Sequence, residues 1–245
     1  MRIAVTGSEG QVAMSLIERT IRDIEIVPLG RPAFALEDRQ AVLAGIDAAR
    51  PDVIVNAAAY TAVDKAEAEE ELAIRVNGEG AGHVAEAAAK IGAPLLHLST
   101  DYVFDGALDR PYREDHPTGP VGAYGRSKLI GERLVGERCP NGAILRTAWI
   151  YSPFGANFVR TMLRLNETRD EVGVVADQRG NPTSALDLAD ALLALAKRLR
   201  EDGSPTLRGV FHLTGSGEAT WADLAEAVFE EARVRGRRLT RVKRI

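Results

Sequence analysis

A tyrosine and a lysine four residues apart, Tyr124 and Lys128, are the pair in this chain best suited to proton transfer. Residues i and i+4 of a helix are neighbours, so the lysine ammonium would lie near the tyrosine phenol. A nearby cation is expected to lower the tyrosine pKa toward neutrality, where a general acid works best. Upstream, Thr100 places a hydroxyl at the end of an apolar strand. These groups could give a proton to a carbonyl oxygen while a hydride arrives from a nicotinamide.

The elements that must position these groups alternate between strand and helix. Apolar runs predict strands at 2–6, 25–29, 53–56, 94–99 and 143–147, and helical spacing predicts helices at 12–21, 39–49, 73–91 and 124–138. This alternation predicts an α/β fold, a Rossmann-like doubly wound parallel sheet covered on both faces.

After Trp149, strands and helices no longer alternate regularly. Helices are predicted at 154–164, 187–200 and 220–235, and strands at 172–175 and 209–213. The last helix should open on a capping box formed by Thr220 and Asp223. We therefore expect a dinucleotide-binding domain over residues 1–150 and a small C-terminal substrate-binding lobe over 151–245, interleaved with the sheet edge.

A glycine-containing turn follows the first strand at once, in the segment 6–13. Glycines let a backbone approach a pyrophosphate, and the helix N-terminus offers free N–H groups. The predicted cofactor-binding residues are Gly7, Gly10, Gln11 and Val12, together with Ala57, Ala58 and Ala59 after the third strand, whose small side chains leave room for a flat cofactor.

The residues after the second strand bear on the choice of dinucleotide. An acidic residue commonly binds the ribose 2′-hydroxyl of NAD there, whereas this strand is followed by Arg31, whose guanidinium would attract a 2′-phosphate. Glu37 and Asp38 come later and either contact adenine or begin the next helix. We expect NADPH as cofactor, with use of NADH left open.

Composition excludes several classes of function. The net charge of −4 and pI near 5.7 give no reason to expect nucleic acid. The single cysteine, Cys139, rules out an internal disulfide and fits a reducing cytoplasm. Because no run of eighteen apolar residues occurs and the chain enters a strand at once, we expect neither a membrane span nor a signal peptide. The four histidines lack metal-ligand spacing, so no metal site is expected.

Longer motifs identify a family. They are Asn56 to Glu67, Ser99 to Gly106, Tyr124 to Glu132, Arg146 to Tyr151 and Asp177 to Thr183. With Thr6-Gly7-x-x-Gly10, they resemble the extended short-chain dehydrogenase/reductase superfamily, and in finer pattern the dTDP-4-dehydrorhamnose reductase family within it.

This resemblance implies reduction of the 4-keto group of a dTDP-6-deoxyhexulose, giving dTDP-L-rhamnose. Tyr124 would protonate the C4 oxygen, Thr100 would hydrogen-bond it, and Lys128 would hold the nicotinamide ribose. Asp101 and Trp149 would border the sugar, and the turn carrying Asn181 and Thr183 would lie near the nucleotide. The implied partner is a dTDP-sugar, and the oligomeric state is left open between a monomer and a homodimer.

Two features depart from the family pattern. Family members run several tens of residues beyond the position of Ile245, so we expect a strand or edge of the substrate lobe to be missing. Some members hold Mg²⁺ at a dimer contact through an acidic residue in the first helix. Here that turn reads Ala13-Met14-Ser15-Leu16, so the metal is not carried over and Mg²⁺ stays an open question.

Two other functions use the same fold. One is a sugar-nucleotide epimerase or dehydratase with tightly held NAD, against which the missing acidic residue on the second strand weighs. The other is a non-catalytic NADP-binding protein resembling the regulatory subunit of methionine adenosyltransferase. Retention of Thr100, Tyr124 and Lys128 argues against that role.

Overall fold

A computed structural model describes all 245 residues. Its strands are β1 (Arg2–Thr6), β2 (Glu25–Leu29), β3 (Val53–Asn56), β4 (Leu95–Thr100), β5 (Gly142–Thr147), β6 (Ile150–Tyr151), β7 (Glu171–Val174), β8 (Arg179–Gly180), β9 (Thr183–Ser184), β10 (Gly209–His212), β11 (Ala219–Thr220) and β12 (Arg241–Arg244). Its helices are α1 (Gln11–Arg19), α2 (Arg39–Ala49), α3 (Val63–Ala66), α4 (Glu70–Ala73), α5 (Gly80–Ile91), α6 (Ala123–Arg138), α7 (Phe158–Asn166), α8 (Ala185–Glu201) and α9 (Trp221–Val234). A π-helical segment, Ile74–Glu79, joins α4 to α5, and single 3₁₀ turns occupy Asp101–Val103 and Pro205–Leu207.

The central sheet has six strands in the order β2-β1-β3-β4-β5-β10, and every neighbouring pair is parallel. The chain passes from β1 to β2 on one side of it, and then crosses over to β3 on the other side of β1. The connections after β1 and β3 therefore diverge and leave a crevice at the carboxyl edge of the sheet, where ligands of such folds bind. The predicted Rossmann-like doubly wound α/β fold is confirmed.

The two faces of the sheet bury separate hydrophobic cores. Along β4, Leu95 packs with side chains of α2 and α5, while Leu96 packs with α1 and α8. Because side chains alternate between faces and both faces are covered, the strands are apolar at consecutive positions. This explains why they were recognisable in the sequence as short continuous apolar runs.

The residues after 150 form a smaller unit at the carboxyl edge of the sheet. Three short strand pairs, β6–β9, β8–β11 and β7–β12, lie there with α7 and α9. Their core includes Met162, Val174 and Phe229. The predicted capping box is confirmed, since the Thr220 hydroxyl accepts from Asp223 N at 3.1 Å and the Asp223 carboxylate accepts from Thr220 N at 2.8 Å.

The chain crosses between the two units more than once. Helix α8 returns to the sheet and buries Leu188 and Leu192 in the core beneath α1, and β10 pairs with β5 as the sixth strand of the sheet. A boundary at residue 150 therefore separates the two units only in part. None of the helices combines the length and the apolar character that crossing a membrane requires.

The long helix predicted at 73–91 differs from the observed one. The observed helical stretch begins at Glu70 as α4 and passes through the π-helical segment before it continues as α5. A π-helical turn inserts an extra residue and often marks a functional site. Here Asn77 lies on this turn, buried against α6.

Close packing between α6 and the π-helical segment gives a direct test of the fold. A Cβ at Gly131 would lie 2.2 Å from the carbonyl oxygen of Asn77, whereas a Cβ at Gly136 on the same helix would meet nothing within 4 Å. Gly131→Ala should lower the free energy of unfolding by about 1–3 kcal/mol because α6 must move. Gly136→Ala, the matched control, should raise it by up to about 1 kcal/mol, since alanine favours helix. Urea titrations of both variants measure the difference, and equal effects would contradict this packing.

Candidate active site

The carboxyl end of β4 forms the centre of the candidate site. Thr100 is the last residue of β4, is 5% exposed, and lies beside Thr147 at the end of β5. Its hydroxyl accepts from Tyr102 N at 3.2 Å and donates to the Asp101 carboxylate at 3.0 Å. The hydroxyl thus caps the 3₁₀ turn that leaves the strand, and this fixes the Thr100 side chain at the sheet edge.

Tyr124 lies in the first turn of α6, with its ring edge-on to Tyr102 at 5.6 Å. The helix start is anchored because Ala123 N donates to the Glu67 carboxylate at 2.7 Å. Burial is the main cause that raises the pKa of the Tyr124 phenol above its ordinary value; Asp101 adds to the rise, and the Thr100 hydroxyl opposes it. The expectation of a lowered tyrosine pKa is therefore wrong for this structure. At neutral pH the phenol keeps its proton, which is the form that can donate.

Lys128 lies one turn further along α6 and is 3% exposed. Its Nζ donates to the carbonyl oxygen of Leu98 at 2.7 Å. Burial lowers the pKa of Lys128 to about 8, and the Glu132 carboxylate opposes that shift. Lys128 does not contribute to the shift in the pKa of the Tyr124 phenol. The expected neighbours therefore share one helix, but desolvation dominates the pKa of both.

Asn77 joins this helix to the loop that follows β3. Its amide accepts from Tyr60 N at 2.7 Å and donates to Tyr60 O at 3.0 Å, and it also donates to the Ser127 hydroxyl at 3.0 Å. The Ser127 hydroxyl in turn donates to Tyr124 O at 2.7 Å. Asn77 was not predicted from the sequence, because only the π-helical turn aims its side chain at both partners.

A row of buried polar side chains crosses the sheet face beneath α6. Toward the crevice, the Thr6 hydroxyl donates to Asn56 Oδ1 at 2.7 Å, and Asn56 Nδ2 lies 3.0 Å from His97 Nδ1. Burial lowers the pKa of His97 well below its ordinary value, and the Lys128 charge adds to that shift. A neutral His97 can accept the Asn56 proton at Nδ1, so this half of the row consists of neutral groups.

The other half of the row is charged. The Ser99 hydroxyl donates to Glu132 Oε1 at 2.5 Å. Arg146 of β5 binds the same carboxylate in bidentate fashion, at 2.9 Å and 2.7 Å. Both charged side chains are about 95% buried, at 6% and 5% exposure. In the sequence these residues stand out only as parts of longer motifs, and their pairing depends on the register of β4 with β5.

The loop after β1 has the geometry of a phosphate cradle. Gly7 has a φ of +81°, and a Cβ there would lie 3.1 Å from the Cα of Ala58. Gly10 precedes α1 without capping it by a side chain, and the first turn of α1 carries no acidic residue. The free N–H groups of α1 therefore face the crevice without an internal anion, as a pyrophosphate group requires.

The other predicted residues of this loop contribute in different ways. The Val12 side chain is buried in the core beneath α1, so only its backbone is available to a ligand. The Gln11 side chain accepts from the Ser152 hydroxyl and from Asn157 Nδ2, both at 2.9 Å. Gln11 thus connects the loop after β1 to the segment that opens the C-terminal unit.

Beyond β2, Arg31 forms an exposed ion pair with Glu37. Asp38 is the N-cap of α2, where its carboxylate accepts from Gln40 N at 2.9 Å and Ala41 N at 3.1 Å. Of the two roles expected for Asp38, beginning the next helix is the one seen. Arg31 lies in an exposed position that a 2′-phosphate could reach, but an anion binding there competes with Glu37.

Ala57, Ala58 and Ala59 form a half-buried floor between the first loop and the site. The Thr6 hydroxyl accepts from Ala57 N at 3.1 Å and from Ala58 N at 3.0 Å. The floor is thereby attached to the polar row, and its small side chains leave space above it.

Trp149 follows β5 at the same edge of the sheet. It has a φ of +47°, which is uncommon for a residue with a side chain, and its indole stacks on Trp221 with ring centroids 3.5 Å apart. A Cβ at Gly180 would lie 2.5 Å from the Trp149 ring. The half-buried indole is therefore held firmly at the boundary between the two units.

The turn that carries Asn181 and Thr183 is bound to a neighbouring loop. The Asn181 amide donates to Gly217 O. The Thr183 hydroxyl is buried, donates to Asn181 O at 3.0 Å and accepts from Gly215 N at 3.0 Å. Both side chains thus have protein partners, and Thr183 acts by shaping the turn. No group of three His, Cys, Asp or Glu side chains is arranged to hold a metal ion.

Comparison with known proteins gives one consistent family. The model of the family described as "RmlD substrate binding domain" matches residues 1–245. A dTDP-4-dehydrorhamnose reductase of Sinorhizobium fredii is 55% identical over 229 residues, covering 94% of this chain and 77% of that protein. One from Streptomyces griseus is 47% identical, covering 96% of this chain and 79% of that protein. The crystal structure of a Bacillus anthracis dTDP-4-dehydrorhamnose reductase in complex with NADP superimposes with a TM-score of 0.92 at 36% identity, covering 100% of this chain and 83% of that one.

Proposed function

The chain belongs to the RmlD substrate binding domain family, and we propose that it reduces the 4-keto group of dTDP-4-dehydro-6-deoxy-L-hexulose with NADPH, giving dTDP-L-rhamnose. It is an NAD(P)-dependent oxidoreductase that acts on a dTDP-sugar. The observation that carries the proposal is the meeting of Thr100, Tyr124 and Lys128 at the carboxyl edge of the sheet, within a chain that matches reductases over almost its whole length.

The proposed reaction adds a hydride and a proton to one carbonyl group. The nicotinamide, when bound, supplies the hydride to the C4 carbon. The Tyr124 phenol, which is protonated at neutral pH, donates its proton to the C4 oxygen. The Thr100 hydroxyl donates a hydrogen bond to the same oxygen in place of its bond to Asp101. The Lys128 ammonium binds the nicotinamide ribose and so places the nicotinamide beside the C4 carbon.

Several observations support the assignment of the cofactor side. Gly7 and Gly10 bring the backbone close to the space above Ala58, and α1 presents free N–H groups. We assign the ribose 2′-phosphate of NADPH to Arg31, because no acidic residue follows β2 directly to bind a 2′-hydroxyl instead.

On the substrate side, we assign the sugar to the space bordered by Asp101 and Trp149. The stacking of Trp149 on Trp221 supports this role, because a rigid indole at the junction of the two units can pack against a sugar ring without losing side-chain entropy. The thymidine end then extends toward the turn that carries Asn181.

The two alternative functions fit less well. If this chain were an epimerase or dehydratase with tightly held NAD, we would expect relatives of high identity to be such enzymes. The relatives that are 45–55% identical to it instead include several reductases. A non-catalytic NADP-binding role would not require the buried arrangement around Tyr124 and Lys128.

Substrate choice tests the proposed function directly. The purified chain should oxidise NADPH in the presence of dTDP-4-dehydro-6-deoxy-L-hexulose, and the product should comigrate with dTDP-L-rhamnose in liquid chromatography with mass detection. The UDP and GDP analogues of the same sugar serve as matched controls and should react at least about tenfold more slowly in kcat/KM. Equal rates with all three nucleotides, or bound NAD⁺ and epimerised product, would contradict the proposal.

The ion pair between Arg31 and Glu37 predicts opposite effects of two substitutions on cofactor choice. Arg31→Ala should raise the KM for NADPH at least about tenfold, because a charge-assisted contact to phosphate is lost, while the KM for NADH changes little. Glu37→Gln should lower the KM for NADPH severalfold, since it frees the guanidinium from a competing carboxylate. Steady-state kinetics with both cofactors measure these shifts. Parallel changes for NADPH and NADH would show that Arg31 does not contact the 2′-phosphate.

The lowered pKa of Lys128 predicts the alkaline side of the pH profile. Catalysis requires the ammonium, so kcat/KM should fall as pH rises through about 8, the pKa of Lys128 in the free protein. Tyr124 does not cause this fall, because its pKa is raised and the phenol stays protonated in the same range. Lys128→Arg, whatever its residual activity, should lack the fall near pH 8, since a guanidinium keeps its charge. A wild-type profile that is flat to pH 10 would contradict the role of Lys128.

A further inference from the structure

The charged half of the polar row, formed by Ser99, Glu132 and Arg146, has no role in the proposed reaction. It nevertheless lies directly beneath the residues that carry that reaction out. Glu132 is one helical turn beyond Lys128 on α6 and is 5% exposed. Its carboxylate accepts the hydroxyl of Ser99 at 2.5 Å and two guanidinium N–H groups of Arg146. A buried carboxylate with a hydroxyl and a bidentate arginine has most of its lone pairs satisfied, so it is held in one orientation.

The strand end that this carboxylate binds also carries two of the reacting groups' contacts. Ser99 directly precedes Thr100 at the end of β4. The carbonyl that holds the Lys128 ammonium belongs to Leu98, the residue before Ser99. A shift of this strand end would therefore move both the Thr100 hydroxyl and the ammonium.

Arg146 extends the same network to the loop between β4 and α6. Its guanidinium lies 4.9 Å from the centroid of the Phe104 ring and donates to Glu114 O at 3.4 Å. The Glu114 carboxylate accepts from His212 N at 3.0 Å on β10. One ion pair thus connects α6, two neighbouring sheet strands and the loop that leads into the site.

We propose that Glu132 and Arg146 are positioning residues of the active site, whose buried ion pair fixes the end of β4, and with it the Thr100 hydroxyl and the Leu98 carbonyl that binds the Lys128 ammonium. This inference rests on the proposed role of Lys128.

Of the groups that surround Lys128, Glu132 is the one whose charge stabilises the lysine ammonium. His97 of β4 faces Lys128 and is held neutral by burial. On α6 the other titratable neighbour, Tyr124, keeps its proton, and Asp101 of the 3₁₀ turn acts on that phenol. The π-helical segment contributes the uncharged Asn77, and Arg146 of β5 lies beyond Glu132. Of these groups, Glu132 alone opposes the loss of the lysine proton.

The test compares one substitution that removes the charge of Glu132 with one that keeps the charge but shortens the side chain. Glu132→Gln keeps the volume and can still accept from Ser99, but it removes the negative charge. Glu132→Asp keeps the charge and shortens the reach to Ser99 and Arg146. Glu86→Gln, which breaks the exposed ion pair with Arg39, is the matched control. The readout is the pH profile of kcat/KM, with circular dichroism for folding.

The proposal predicts that Glu132→Gln lowers the midpoint of the alkaline fall by at least about one pH unit and reduces kcat/KM at pH 7.5 by at least about tenfold. Glu132→Asp should keep the midpoint near that of the wild type, and Glu86→Gln should change neither quantity. An unchanged midpoint in a folded Glu132→Gln variant, or equal midpoint shifts in both Glu132 variants, would overturn it.

Glu132→Gln leaves the Arg146 guanidinium buried without its partner, so a second variant guards against loss of folding. Glu132→Gln combined with Arg146→Gln replaces the ion pair by two neutral amides of similar size. It should fold and show the same downward shift of the midpoint; a wild-type midpoint in this variant would also overturn the proposal. If the wild type itself has no fall near pH 8, the role of Lys128 fails first, which is a separate outcome.

Discussion

Buried polar side chains at the carboxyl edge of the sheet need hydrogen-bond partners, and this requirement organises the site. An unpaired polar group there would cost about 1–3 kcal/mol, and an unpaired charge more. The row that runs from Thr6 through His97 to Ser99 and Arg146 satisfies most of its polar atoms by hydrogen bonds between neighbouring strands and to Glu132 of α6, while His97 Nε2 has no partner. Because the strands are parallel and in fixed register, the same bonds that stabilise the fold also set the position of the site.

The two ends of the row differ in charge. At the cofactor end it consists of neutral groups, and the Thr6 hydroxyl binds the amides beneath the predicted dinucleotide site. At the substrate end it contains a buried ion pair, which is costly to desolvate and is retained where it fixes a particular geometry. Lys128 lies between the two ends. Its pKa is therefore a balance between burial, which lowers it, and Glu132, which raises it.

Much of the fold was predictable because it follows from local rules. Continuous apolar runs identified the five strands up to residue 147, and the capping box at Thr220 fixed the start of α9 to within a residue. Thr100, Tyr124 and Lys128 were predictable as a group because strand end and helix spacing are local features. The sixth sheet strand, β10, was recognised as a strand, but its place beside β5 depends on long-range packing.

What the sequence did not predict depends on distant contacts. The π-helical turn at Asn77 is stabilised by partners seventeen and fifty residues away. The pKa of Tyr124 was expected to fall because the lysine was taken as its main neighbour, whereas burial is the larger effect and no spacing rule gives its size. The pairing of Arg31 with Glu37 likewise required the path of the loop after β2.

In the proposed reaction, Tyr124 gives the proton to the substrate oxygen. The most direct measurement is single-turnover oxidation of NADPH by the Tyr124→Phe variant, with Tyr60→Phe as control, since that phenol bonds to Glu69 instead. Tyr124→Phe should lose at least about 100-fold in the rate of the chemical step, the usual extent of acid–base catalysis, with NADPH affinity within severalfold of the wild type. Tyr60→Phe should stay within severalfold of the wild-type rate. A Tyr124→Phe variant that turns over at nearly the wild-type rate, or equal losses in both variants, would contradict the account.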